Sequence, residues 1–228
     1  MKDLLYKEFR LCMQPLVVIF FAAAFMLLIP SYMYLVPFFF TGNSLFNSMQ
    51  VSTANSDTLF TAMLPVSKRE IVRSKYMFII CVQLIMLALC VPMIFLNHAL
   101  IGMPNKAGID ACPALFCGAF IVYTVFNSTF MPVFYRNGYK AEKAFLISTI
   151  AVFAFIFVFE GFFIACGSQL QNVSPFFAWV ENTVDCWPKD ARSLLVQLGF
   201  AGIGLVIYVI GTYLSYRRSC ALFDRVDI

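Results

Sequence analysis

Five apolar stretches, residues 16–36, 77–100, 112–134, 144–166 and 194–215, constrain this chain more than any motif does. Each holds roughly 20 predominantly apolar residues, the length an α-helix needs to cross the hydrocarbon core of a bilayer. In lipid a spanning segment must bond its own backbone N–H and C=O groups, so runs of this length fold as helices. Composition agrees, because 61% hydrophobic residues with 12% charged lies outside soluble usage. The chain reads as an all-α membrane protein in which residues 1–228 form one transmembrane domain with short loops.

Charge placement adds a sixth crossing. The basic residues fall in four clusters: Lys2, Lys7 and Arg10; Lys68, Arg69, Arg73 and Lys75; Arg136, Lys140 and Lys143; Arg217, Arg218 and Arg225. Only Lys106, Lys189 and Arg192 lie elsewhere. If all four clusters are cytoplasmic, an even number of crossings separates each neighbouring pair. Segment 38–63 then has to cross as well, although it carries Asn43, Asn47, Gln50, Asn55 and Asp57. The expected topology is six transmembrane helices at about 16–36, 38–63, 77–100, 112–134, 144–166 and 194–215. Both termini are cytoplasmic, and 167–193 is the long outer loop, with Trp179 and Trp187 suited to the membrane interface.

Residues 1–14 mix acids and bases ahead of the first apolar run, so they read as an amphipathic interfacial helix rather than a cleavable signal. Leu4, Leu5, Phe9 and Cys12 share one face, with Glu8 among the polar remainder. In segment 38–63 the polar residues Asn43, Asn47, Gln50, Asp57 and Thr61 recur at helical steps and form a stripe that lipid would not accept. Interhelical hydrogen bonding and the lining of a transport pathway both explain such a stripe. Cys166 and Cys186, with Cys112 as a rival partner, are candidates for a disulfide in an oxidising outer compartment. No cysteine spacing matches a metal site.

The segment LPVSKREIVRSKY, residues 64–76, stands apart as a basic patch in an oily chain. Ser67 and Glu70 have the spacing of a capping box, and Val66 and Ile71 that of a hydrophobic staple, while Pro65 breaks the preceding span. These signals predict a rigid short helix over about 66–75. Anchoring to anionic headgroups would explain its charge but not its rigidity.

That segment, following an acid at Asp57, a polar second span and an N-terminal amphipathic helix, resembles the permease subunits of type 2 ABC exporters. The likeness rests on Asp57, Leu64 to Ser67, Lys68, Arg69, Ile71, Val72, Lys75 and Tyr76, and is strongest to the phenol-soluble modulin (Pmt) exporter branch. The resemblance implies that the N-terminal helix is an elbow helix. It also implies that 66–75 is the coupling helix between spans 2 and 3, docking on a separate cytoplasmic ABC ATPase through Val66, Ser67, Lys68, Arg69, Glu70, Ile71, Arg73 and Lys75. Two ATPases would bind ATP and Mg, and a second permease, identical or different, would complete the assembly in the plasma membrane. The chain carries no phosphate-binding loop of its own, so no cofactor is expected on it. Nucleic acid is not an expected partner. The substrate class implied is an amphipathic or hydrophobic one, peptides above all, moving outward through a pathway lined by Asn43, Asn47, Gln50, Asp57, Thr61 and Glu160.

Two acids remain within apolar surroundings. Asp57 reads as a structural latch toward Lys75 or Arg73, with substrate contact as the alternative, and Glu160 either lines the exit or reaches the interface. A membrane scaffold or immunity protein that binds a peptide without transport is the rival reading from another class. An intramembrane enzyme built on Glu160 and His98 is the third, and no catalytic template supports it.

Overall fold

The computed structural model describes residues 2–13, 15–63, 66–136, 141–168 and 175–225. Its helices are α1 (Lys2–Cys12), α2 (Pro15–Phe21), a 3-10 helix (Ala22–Leu28), α3 (Val36–Ala54), α4 (Asp57–Ala62), α5 (Lys68–Leu100), α6 (Leu115–Arg136), α7 (Ala141–Ser168), α8 (Pro175–Thr183) and α9 (Ala191–Asp224). Four of them, α5, α6, α7 and α9, are long and apolar enough to cross a membrane. A fifth crossing results if Leu4–Arg10 and Pro15–Leu28, which meet at 77°, are taken as one broken span. The expected sixth, 38–63, divides into α3 and α4 at Ser56, whose φ of 52° ends the first helix. The expected outer loop 167–193 contains α8; residues 169–174 lie outside the described set.

Helix α6 forms the centre, packing against α9, α7 and α3. Its buried face stacks Phe126 on Phe130 and Phe130 on Phe134, with ring centroids 5.0 and 6.0 Å apart. Helix α9 approaches closely at Gly204, where a Cβ would stand 2.8 Å from the Cys117 Cα. Small residues at such crossings are how membrane helices gain packing contact without a hydrophobic driving force. One polar network joins α5, α6 and α9: Tyr208 donates to Gln83 Oε1 at 2.7 Å, Gln83 to Asn127 Oδ1 at 2.9 Å, and Asn127 to Thr212 Oγ1 at 3.2 Å.

The expected first span, 16–36, is not one continuous helix. Pro30 removes a backbone donor and pushes Ile29 into extended conformation (φ −87°, ψ 119°), so the 3-10 helix stops at Leu28. Irregular backbone at membrane depth persists only where protein groups replace the lost ladder. Here Asn97 donates to the Leu27 carbonyl at 2.6 Å, Asn105 to the Tyr32 carbonyl at 2.9 Å, and the Leu35 N–H to Glu160 Oε1 at 3.1 Å. The other Glu160 oxygen accepts from the Ile109 N–H at 2.8 Å. Glu160 is fully buried within the chain. Gly108 is required beside it: φ is 149°, and a Cβ there would fall 1.7 Å from Glu160 Oε2.

Outside this seam, residues 101–114 meet the loop after α8. Asp185 Oδ1 accepts from the Asp110 N–H at 2.6 Å. Burial, reinforced by the neighbouring Asp110, Glu160 and Glu181 charges, pushes the Asp185 carboxyl up to about 7. Burial and Glu181 also raise Asp110. An acid with a raised folded pKa holds protons that the unfolded chain, titrating near 4, has released. Stability therefore falls as pH rises from about 4 to about 7 and levels off above that. Asp185→Asn keeps the oxygen that accepts from Asp110 and removes this titration. Thermal unfolding of the purified protein between pH 4 and 8 should show a flatter profile for the variant and a higher Tm than wild type at pH 8.

Candidate functional site

Helix α3 carries two polar faces, and only one was expected. The inward face is a run of small hydroxyls, Thr41, Ser44, Ser48 and Ser52, all buried. Ser44 donates to its own helix at the Thr41 carbonyl, 3.0 Å, and Tyr123 of α6 reaches Thr41 Oγ1 at 3.2 Å. Side chains that hydrogen-bond their own backbone can be buried without further partners. The carboxamides face the other way: Asn43 and Asn47 are half-buried and Gln50 is exposed. Asn47 donates to the Asn43 carbonyl at 2.8 Å. Beside them, Phe39 and Phe46 pack on α7 through Phe153 and Phe145, at 4.6 and 4.2 Å between centroids.

Asp57 and Thr61 leave the carboxamide stripe because the break at Ser56 turns α4 away from the α3 axis. They join a polar cluster in which α1, α4 and α5 supply the charges and α3 supplies Ser52. Lys7 Nζ lies 2.9 Å from Asp57 Oδ1, 2.8 Å from Thr61 Oγ1 and 3.3 Å from Glu8 Oε1. Lys75 Nζ donates to Ser52 Oγ at 3.0 Å and stands 3.6 Å from Glu8 Oε2 and 3.7 Å from Asp57 Oδ2. Ser52 Oγ donates in turn to Asp57 Oδ2 at 3.2 Å. The Lys75 and Glu8 side chains are wholly buried. Two cations against two carboxylates give a formally neutral cluster, the condition under which charges tolerate burial.

This placement corrects several expectations. Lys75 and Ile71 are buried within the chain rather than exposed on its surface. Glu8 belongs to the interior rather than to a solvated face, because α1 packs on α5, with Phe9 edge-on to Phe78 at 5.4 Å. The helix predicted for 66–75 does not end there: α5 runs unbroken for 33 residues from Lys68 to Leu100 and takes in the expected third span. Its start is as expected, with Glu70 N–H donating to Ser67 Oγ at 3.3 Å and Ser67 N–H to Glu70 Oε2 at 3.2 Å. The break ascribed to Pro65 lies outside the described residues.

The accessible part of this corner is its tip. Phe60 is 70% exposed and Met63 83% exposed, and the sequence reading overlooked both. Ser67, Arg69 and Arg73 are exposed, while Val66, Lys68 and Glu70 are partly so. Arg69 Nε approaches Asp224 Oδ2 at 4.0 Å, and Lys68 Nζ lies 5.8 Å from the Phe223 ring centroid. Two large apolar side chains thus lie beside exposed bases on a turn tied from behind by buried charge.

The remaining candidates have structural places. His98 stacks on Trp187 with centroids 4.0 Å apart, while Glu160 is held by backbone amides, so the two do not form a reacting pair. Cys112, Cys166 and Cys186 are free thiols. Among the described residues no group of His, Cys, Asp or Glu is arranged to hold a metal ion.

A family model described as "ABC-2 family transporter protein" matches residues 3–218. No curated protein and no solved structure matches the chain significantly.

Removing one member of the charge cluster leaves its partners buried and unbalanced. Lys75→Met should destabilise the purified protein by about 3 to 5 kcal/mol. The double variant Glu8→Gln/Lys75→Met, which restores neutrality, should recover part of that loss in thermal or denaturant unfolding.

Proposed function

The chain belongs to the ABC-2 family of transporter proteins, and we propose that it is the membrane subunit of an ATP-driven exporter whose ATPase is a separate cytoplasmic chain. The observation that carries this reading is the α4–α5 corner. An exposed tip of Phe60, Met63, Ser67 and Arg69 is tied by the Lys7, Glu8, Asp57 and Lys75 cluster to α1 and α3. The unbroken α5 leads from that tip deep into the bundle. A push on the tip would therefore be delivered to the transmembrane helices rather than absorbed by a loop.

In this scheme two ATPase subunits bind ATP and Mg and close on nucleotide, each pressing on the corner of one permease. The permease itself performs no covalent chemistry. The outward carboxamides of α3 face a second permease, identical or different, because Asn43, Asn47 and Gln50 are costly against lipid. Helix α3 has 19 residues, about 28 Å at 1.5 Å per residue, close to the hydrocarbon thickness. Counting it and the broken first segment as crossings gives six spans in the plasma membrane with both ends cytoplasmic, as charge placement requires.

The pathway between two such α3 faces would join carboxamides to the neighbouring Phe39 and Phe46. That mixture suits an amphipathic substrate, and the likeness of residues 64–76 to the modulin exporter permeases favours a peptide. Docking is tested at the tip. Phe60→Asp or Met63→Asp, each combined with Arg69→Glu, should lower co-purification of the ATPase about tenfold without changing membrane insertion. Unchanged co-purification would contradict docking at this corner.

A further inference from the structure

Where α5 meets α9, a groove of about 600 Å³ opens on the outer surface of the bundle. Its walls are Met77, Leu84, Leu205 and Val209, and Arg73 and Tyr213 also line it. The polar atoms beneath the groove are turned inward. Tyr208 donates to Gln83, Thr212 accepts from Asn127, and the Tyr76 hydroxyl lies 2.7 and 2.8 Å from Ser215 and Ser219. These hydroxyls bond within the bundle, so the groove offers an occupant mainly rings and aliphatic surface. The charged groups lie toward the Lys68 end of α5. Arg73 is exposed, Arg69 sits one turn before it, and both lie near enough to Tyr216 to act on it electrostatically. The nearby acids are already engaged, Glu70 with Ser67 in the helix cap and Asp224 with Arg69.

An apolar channel with cationic groups at one end is complementary to an amphiphile with one anionic head. We infer that this groove is a binding site for an anionic phospholipid of the adjoining leaflet, its phosphate on Arg73 and one acyl chain along the seam between Met77, Leu84 and Val209. Basic pockets between membrane helices select anionic headgroups in this way. The inference requires only that the protein spans a membrane and is independent of the export reading.

The test uses the full-length permease in detergent with phosphatidylglycerol and phosphatidylcholine of identical acyl chains, bound lipid being counted by native mass spectrometry. Wild type should retain phosphatidylglycerol about fivefold over phosphatidylcholine, the weight of one basic side chain at a membrane surface. Arg73→Gln should abolish that preference, and Arg136→Gln should keep it. Leu84→Trp, which fills the groove, should lower retention of both lipids. Deacylated glycerophosphoglycerol should not compete, and a photoreactive residue at Leu84 should capture phospholipid. Equal retention of the two lipids, a preference that survives Arg73→Gln, competition by the deacylated headgroup, or capture of a second permease at Leu84 would overturn the assignment.

Discussion

Lys75 is the residue on which the rest of this architecture depends. An ammonium group buried among membrane helices is costly unless it is paired and hydrogen-bonded. Here Ser52 of α3, Glu8 of α1 and Asp57 of α4 surround it. Because those partners come from three other elements, satisfying one charge fixes the mutual placement of four helices. The same arrangement leaves Phe60 and Met63 exposed. The exposed turn and the buried charges behind it thus arise from a single electrostatic requirement.

The opposite end of the molecule meets a backbone requirement instead. Pro30 interrupts the first apolar segment, and the groups released by that interruption are recovered by side chains from α5, α7 and the loop after α5: Asn97, Glu160 and Asn105. Glu160 also holds Ile109, with Gly108 leaving the room for it. Polar residues that look like a pathway in a hydropathy plot serve here as substitutes for missing helix hydrogen bonds. Of the expected pathway residues, Glu160 has this role, Asp57 and Thr61 belong to the charge cluster around Lys7 and Lys75, and Asn43, Asn47 and Gln50 lie on the outward face of α3.

What the sequence disclosed depended on the range of the interaction. The Ser67 and Glu70 box involves residues three apart, so its geometry was readable from spacing alone. The amphipathic character of α1 was readable too, but a helical wheel shows a polar side without showing what covers it, and Glu8 was assigned to solvent. The hydroxyl face of α3 escaped notice because serine and threonine bond their own helix and so give a weak polarity signal beside Asn and Gln. The break at Pro30 was averaged away by the apolar residues around it. Phe60 and Met63 look like part of a span in the sequence, since only the turn at Ser56 brings them to the surface.

Coupling through the buried charges requires α1, α4 and the start of α5 to move as one body. Spin labels at Tyr6 and Met63, both exposed, in the assembled transporter measure that directly through the distance between them with and without trapped nucleotide. A rigid corner predicts one narrow distance, unchanged by nucleotide in wild type and broadened by Lys75→Met. A distance that shifts with nucleotide in wild type would show that the tip moves independently of α1 and would contradict coupling through the buried charges.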